Sequence, residues 1–207
     1  MLNELISRYP TLKQCKDEIV LSADIITDCY KNGGKLMICG NGGSCADSDH
    51  IVGELMKGFL KKRPLSDKQR AEMKAKCNSL DDVTLDKLQG ALPAISLASL
   101  TALNTAFCND VEPDLIFAQA VLGLGKSGDT LICISTSGNS KNVVLAAKVA
   151  KSVGIKVIAL TGIGGGQLKS IADVCICVPE KETFKVQELH LPVYHYLCAE
   201  VENRFFN

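Results

Sequence analysis

Three times in this chain a short apolar run stops at a glycine- or serine-rich turn that leads straight into a helical pattern. Residues 36–39 run into Gly40-Asn41-Gly42-Gly43, residues 130–134 into Ser135-Thr136-Ser137-Gly138-Asn139-Ser140, and residues 156–160 into Thr161-Gly162 and Gly164-Gly165-Gly166. A short apolar run bounded by turn formers reads as a strand buried on both faces. Such strands, alternating with helices, form a parallel sheet covered on both sides. Two further runs, 92–97 and 174–178, bring the sheet to five strands. The expected fold is therefore an α/β three-layer sandwich, whose ligands sit at the carboxyl ends of the strands, where these turns lie.

The segments between the strands carry helical periodicity. Residues 1–31 repeat apolar positions (Leu2, Ile6, Leu12, Ile19, Val20, Ala23, Ile25, Ile26, Tyr30) around Pro10, and Asn32-Gly33-Gly34 ends the pattern. The apolar side is broad, which predicts packing against a partner subunit as well as the core, hence a homo-oligomer. The helix after the first turn is predicted to run to about residue 60. Further helices are predicted over 99–107, 114–122, 141–152, 168–172 and 183–205. Residues 61–90 change character: charge is dense, Pro64 opens the stretch, and 70–76 is a short polar helix. This reads as a surface excursion or a lid, longer than an ordinary connection.

A chain of 207 residues is expected to form one domain. Lys plus Arg and Asp plus Glu both number 23, so no global charge draws it to nucleic acid or an anionic membrane. No apolar run reaches a membrane span, and Met1 opens a helix-like segment rather than a signal sequence, so a cytoplasmic location is expected. The ten cysteines include no C-x-x-C pair, and Cys39, Cys133, Cys175 and Cys177 lie in strand-like runs. Reduced, largely buried thiols follow, with Cys175 and Cys177 on one strand face. Cys45, beside the glycine turn at a helix start, is the thiol expected to have a lowered pKa.

Chemistry concentrates in three places. The Gly40 to Gly43 turn, with Ser44 at the predicted N-cap, lets backbone N–H groups approach an anion at a helix N-terminus. The Ser135-Thr136-Ser137 hydroxyls and Ser140 at the next helix start can donate several hydrogen bonds to a phosphate. No lysine follows the glycines as in a Walker loop, and Cys45 stands where a dinucleotide fingerprint has its third glycine, so no nucleotide cofactor is expected. His50 and Glu54 share one helix face at a spacing of four. They suit proton transfer or, with Gln187, His190 and His195 of the last helix, a divalent metal such as zinc; taken alone they also suit a plain surface pair.

Together Cys39-Gly40-Asn41-Gly42-Gly43-Ser44, Asp47, His50, Glu54, the 135–140 loop, Leu160-Thr161-Gly162 with Gly165-Gly166, and Gln187-Glu188-Leu189-His190 followed by His195 resemble the sugar isomerase (SIS) domain of the phosphoheptose isomerase family. The resemblance spans nearly the whole chain. It implies a flavodoxin-like five-stranded sheet and conversion of sedoheptulose 7-phosphate to D-glycero-D-manno-heptose 7-phosphate by a homotetramer with sites between subunits. It implies Glu54 and His195 as the acid–base pair, and a zinc ion held by His50, Glu54, Gln187 and His195. It also implies a phosphosugar pocket of Asn41, Gly42, Gly43, Ser44, Asp110, Ser135, Thr136, Ser137, Ser140 and Gln187.

The sequence departs from the family pattern at four points. Gly58 occupies the position of an arginine, with Lys57 beside it; Phe184 replaces an acidic residue; residues 61–90 are longer; and Pro192 falls between His190 and His195, where it is expected to bend the helix. The competing readings are a phosphosugar sensor and a non-catalytic relative that binds a replication initiator. The latter kind lacks the glutamate and the second histidine, both of which stand here.

Overall fold

The computed structural model describes residues 1–206. Five strands, β1 (Leu36–Gly40), β2 (Ala94–Ser96), β3 (Thr130–Ile134), β4 (Lys156–Thr161) and β5 (Val174–Cys177), pair in the parallel order β2-β1-β3-β4-β5. The chain runs outward from β1 to β2 and then returns past β1 to β3. The order therefore reverses between β1 and β3, so the crevice for a ligand opens where the Gly40 and Ser135 turns leave the sheet.

Alternation along the strands splits the core in two. Leu36, Ile38, Ile132, Ile134, Ile158, Leu160 and Ile176 join the cluster formed with the N-terminal helices and the last helix. Met37, Cys39, Leu131, Cys133, Val157 and Ala159 join the cluster on the other face. Register keeps the faces aligned, with Ile38 opposite Ile132 and Ile132 opposite Ile158. A period of two in a sheet covered on both sides makes each strand apolar throughout, as the runs of the sequence are.

The first helical segment is divided. Helix α1 (Leu2–Arg8) stops before a 3-10 turn (Pro10–Cys15), and α2 (Lys16–Lys31) follows. Tyr9 leaves helical geometry (φ −131°, ψ 72°) because the ring of a following proline disfavours the helical conformation. Helix α3 (Gly43–Met56) begins earlier and ends sooner than the sequence predicts. Its N-cap is Gly42, so Ser44 lies inside the first turn, buried, and not at the cap. It stops at Met56 because the next amides turn elsewhere: Phe59 N–H donates to Glu202 Oε1 (2.8 Å), and Leu60 and Lys61 N–H donate to Glu202 Oε2 (2.8 and 3.1 Å).

The charged excursion carries α4 (Asp67–Lys76), opened by a capping box of Ser66 and Gln69, and α5 (Asp82–Lys87), capped by Asp81. Arg70 joins the two helices through Asp82 (3.0 Å) and Asp86 (2.7 Å). Its base is not a surface feature. Arg63 is 1% exposed and pairs with Glu202 at 2.8 Å, so the charged stretch begins with a residue of the core. On the far side of β2 come α6 (Thr101–Asp110) and α7 (Ile116–Leu124); α8 (Lys141–Ser152) follows β3, and the short α9 (Leu168–Ile171) follows β4. The last helix, α10 (Thr183–Phe205), continues through the buried Pro192 without a break.

All ten cysteines are free thiols, with Cys39 and Cys133 buried and the Cys175 and Cys177 sulfurs 3.6 Å apart. Cys45 departs from expectation: burial, then the nearby Asp49 carboxylate, raises its pKa. Both act against the lowering expected at a helix start.

Candidate active site

The β1 and β3 turns face each other across the crevice and are tied together. Asn41 at the β1 turn and Asn142 in the first turn of α8 exchange two amide hydrogen bonds of 2.9 Å each. Within the 135–140 loop, Ser135 Oγ and Ser140 Oγ are 2.9 Å apart, and Asn139 N–H donates to Ser137 Oγ (3.1 Å). The loop also rests on the β4 turn: Gly162 N–H donates to Thr136 O (2.9 Å), Leu168 N–H to Gly138 O (3.1 Å), and Gln167 N–H to Asn139 Oδ1 (3.0 Å). Ser135 is buried, Thr136 and Ser140 are partly exposed, and Ser137 is exposed. Such a braced cluster of hydroxyls at the start of a helix is organised to take an anion.

Gln187 reaches this crevice from α10. Its side-chain amide fills the space beside Gly43, where even a Cβ would overlap Nε2. A side chain at 43 would have to displace the end of Gln187. The structure therefore brings Gln187 to the first turn of α3.

About two turns further along α3, a second cluster carries the titratable groups. His50 Nε2 lies 3.2 Å from Glu54 Oε1, His50 Nδ1 lies 3.0 Å from the Tyr194 hydroxyl, and that hydroxyl donates to Asp47 Oδ1 (3.2 Å). Lys57 Nζ donates to Glu54 Oε2 (3.4 Å). The His195 ring stands edge-on to His50, with centroids 5.0 Å apart, and lies 5.5 Å from the Phe59 ring. Burial, then the neighbouring His50, lowers the His195 pKa, which keeps its ring neutral near physiological pH. Its Nε2 is buried without a hydrogen-bond partner among the described residues. The ring also lines a concavity of about 450 Å³ between α1, Phe59 and α10.

Two expected members stand apart from this cluster. Asp110, the last residue of α6, is exposed and accepts from Asn109 (2.8 Å). His190 is fully buried, both ring nitrogens lacking partners among the described residues, and burial lowers its pKa to about 4. It is a neutral core histidine rather than a ligand. Its depressed pKa is a stability term: the unfolded chain takes up a proton below the ordinary value of 6.5 while the folded chain does not until about 4. Stability is therefore present above 6.5 and falls as pH drops through that window, by about 3 kcal/mol for this group. Urea unfolding of the wild type at pH 7 and at pH 4 is expected to show this loss, and His190→Leu is expected to flatten the dependence by the same amount.

The donor types suit zinc. The 3.2 Å between His50 Nε2 and Glu54 Oε1 is close to the edge, about 3.3 Å, of a tetrahedral shell with arms of ~2.0 Å, and the unpartnered His195 Nε2 is a further donor beside them. Among the described residues no three His, Cys, Asp or Glu side chains converge as a complete metal shell.

Tyr194 escapes a reading confined to motif residues. Asp47 precedes His50 by three on α3 and so shares its face, a signal present in the sequence. Tyr194 reads as one more core position of the last helix, and only the structure turns its hydroxyl toward His50.

A parallel sheet with its switch point between two hydroxyl- and glycine-rich turns, and a histidine–glutamate face beside them, defines a sugar isomerase domain. The SIS domain family model matches residues 3–96 and 88–162. The chain belongs to the phosphoheptose isomerase family. It is 36% identical to the phosphoheptose isomerase of Akkermansia muciniphila over 202 residues, covering 98% of this chain and 93% of that one. It is 38% identical to that of Rhodospirillum rubrum, covering 93% and 88%. Among solved structures, the phosphoheptose isomerase GmhA of Neisseria gonorrhoeae superposes with a TM-score of 0.76 at 32% identity, covering 97% of this chain and 94% of the other. A phosphoheptose isomerase from Francisella tularensis gives 0.74 at 30% identity, with 98% of each chain covered.

Proposed function

We propose that this protein isomerises sedoheptulose 7-phosphate to D-glycero-D-manno-heptose 7-phosphate. The observation that carries the reading is the adjacency, along a single helix face, of an anion-binding crevice and a carboxylate held by a histidine. Ketose-to-aldose isomerisation removes a proton from the carbon next to the carbonyl and returns one to the neighbouring carbon, while a second group moves the hydroxyl proton.

Glu54 is the carbon base. Its carboxylate is largely shielded, with 15% of the side chain exposed, and both oxygens are oriented, one by His50 and one by Lys57. His195, whose lowered pKa favours the neutral ring, takes and returns the oxygen proton. The phosphate is gripped by Ser135, Thr136, Ser137 and Ser140, with Asn41 and Gly42 of the β1 turn and Gly43 and Ser44 at the start of α3 closing the crevice, and Gln187 from α10. Fixing the phosphate at one end sets the sugar's reacting carbons at a constant distance from Glu54, which is where orientation lowers the barrier.

The chain's own donors toward zinc are His50 and Glu54, joined by Gln187 and His195. When bound, the ion would polarise the sugar carbonyl and so acidify the adjacent carbon. The assembly is a homotetramer with sites between subunits. Exposed Leu103 on α6 and Leu122 on α7 support an interface there, and exposed Asp110 at the end of α6 supports a role reached from a neighbour. The location is cytoplasmic; among the described residues no helix is long and apolar enough to cross a membrane.

A sensor or a non-catalytic binding protein would need the crevice alone. The ordered contacts of Glu54 have no use in such a protein, so they favour the enzyme. The test is a panel of seven-, six- and five-carbon ketose phosphates offered to the purified protein. The seven-carbon substrate is expected to give the highest kcat/KM. Binding of the panel without conversion of any member would overturn the enzyme and favour the sensor.

A further inference from the structure

The contacts around His50 form a chain with a fixed direction. An ionised carboxylate only accepts, so Asp47 takes the single Tyr194 proton (3.2 Å). The Tyr194 oxygen is then an acceptor, and the group 3.0 Å from it, His50 Nδ1, must carry a hydrogen. In the neutral ring this leaves the Nε2 lone pair facing Glu54 Oε1 at 3.2 Å.

The opposite arrangement puts the ring hydrogen on Nε2 and turns the Tyr194 hydrogen toward Nδ1. It strips Asp47 of its only donor. Asp47 Oδ2 is already buried without a partner among the described residues, so a carboxylate in that position would lose all its hydrogen bonds. Glu54 tolerates the first arrangement better, because Lys57 still donates to it (3.4 Å). Tyr194 is only 2% exposed, so water does not compete for its hydroxyl.

We propose that Tyr194 and Asp47 are positioning residues that hold His50 in the tautomer with its hydrogen on Nδ1, so that Nε2 and Glu54 Oε1 jointly present lone pairs to a cation, either a proton or a divalent metal. The inference rests on the catalytic reading of Glu54 given above. It links Asp47 and His50 of α3 through Tyr194 of the last helix, which lies outside the motif, and it makes the tyrosine hydroxyl a determinant of how Glu54 is held. A histidine whose distal nitrogen is committed to a partner in this way has its ring plane and basicity set by that partner.

The test reads the tautomer directly and needs no turnover. Nitrogen-15 NMR of chelator-treated protein labelled at histidine is recorded well above the ordinary histidine pKa range, where the ring is neutral. The wild type is expected to show a protonated Nδ1 and an unprotonated Nε2 at His50. Asp47→Asn supplies an amide donor to the Tyr194 oxygen, releases the hydroxyl hydrogen toward His50, and is expected to move the ring hydrogen to Nε2. Tyr194→Phe keeps the packed ring but removes the relay, and is expected to give a mixture of tautomers. Both variants are expected to lose about 10–100-fold in kcat with KM for the phosphosugar nearly unchanged. A wild-type His50 with its hydrogen on Nε2, or a tautomer indifferent to both substitutions, would overturn the proposal. An unchanged tautomer in a wild type that fails to isomerise any sugar would instead count against the enzyme reading and leave the relay standing.

Discussion

Arg63→Leu is expected to lower the free energy of unfolding by about 3–5 kcal/mol, the cost of leaving one member of a buried ion pair without its partner. Arg63 donates from Nε to Glu202 Oε1 (2.8 Å), from Nη1 to Leu55 O (2.7 Å) and from Nη2 to Glu54 O (3.1 Å), and its guanidinium lies 4.6 Å from the centre of the Phe206 ring. Glu202 in turn collects the amides of Phe59, Leu60 and Lys61, so this pair ties the end of α3, the start of the charged excursion and the last turn of α10 into one joint. The far end of the excursion returns to the same place, since Gly90 N–H donates to Arg63 O (2.7 Å). Arg63→Lys supplies charge without the planar fork and is expected to recover only part of the loss. Replacing both partners by apolar residues is expected to cost less than removing either one. Urea unfolding midpoints at constant m-value measure all four proteins. A midpoint for Arg63→Leu within error of the wild type would mean that the joint is not a source of stability.

Glu54→Gln is expected to reduce turnover by about 10²–10⁴-fold while leaving phosphosugar affinity nearly intact. The amide has the size of the carboxylate, so the α3 face is not repacked, yet it cannot accept the proton from carbon. The proposed phosphate grip lies on the 135–140 loop, which has no hydrogen bond to Glu54 among the described residues, so binding measured by calorimetry with the ketose phosphate is expected to survive. Loss of binding and turnover together would place Glu54 in the grip instead of the chemistry.

Much of this architecture was legible because its cause is periodic. Buried strands in a sheet covered on both faces leave continuous apolar runs, and the turns that follow them are rich in Gly and Ser. The sheet and both crevice turns therefore stand out, as do His50 and Glu54 at helical spacing. What stayed hidden depends on residues distant in sequence. Arg63 sits in a charged stretch whose composition reads as solvated surface, and only Glu202, 139 positions away, makes it a core residue. The end of α3 at Met56 is likewise decided by the Glu202 carboxylate, which no local propensity reports. Gly58 has a local reason that appears only in three dimensions: a Cβ there would strike the Lys61 carbonyl, and Gly58 N–H donates to Gln89 Oε1 (2.7 Å) from the far end of the excursion. Gly58 and the far end of the excursion are therefore held against each other. Cys45 shows the opposite error, since a helix start suggests a lowered thiol pKa and burial beside Asp49 raises it.

Glu54 is expected to move a carbon-bound proton of a phosphosugar held in the crevice between β1 and β3. The most direct measurement is the isomerisation of sedoheptulose 7-phosphate in deuterium oxide, with the aldose product read by NMR for label at the carbon that receives the proton. The wild type is expected to form labelled heptose 7-phosphate, and Glu54→Gln, run at the same protein concentration, is expected to form almost none. Labelled product from Glu54→Gln at the wild-type rate, or no conversion by the wild type, would contradict the account.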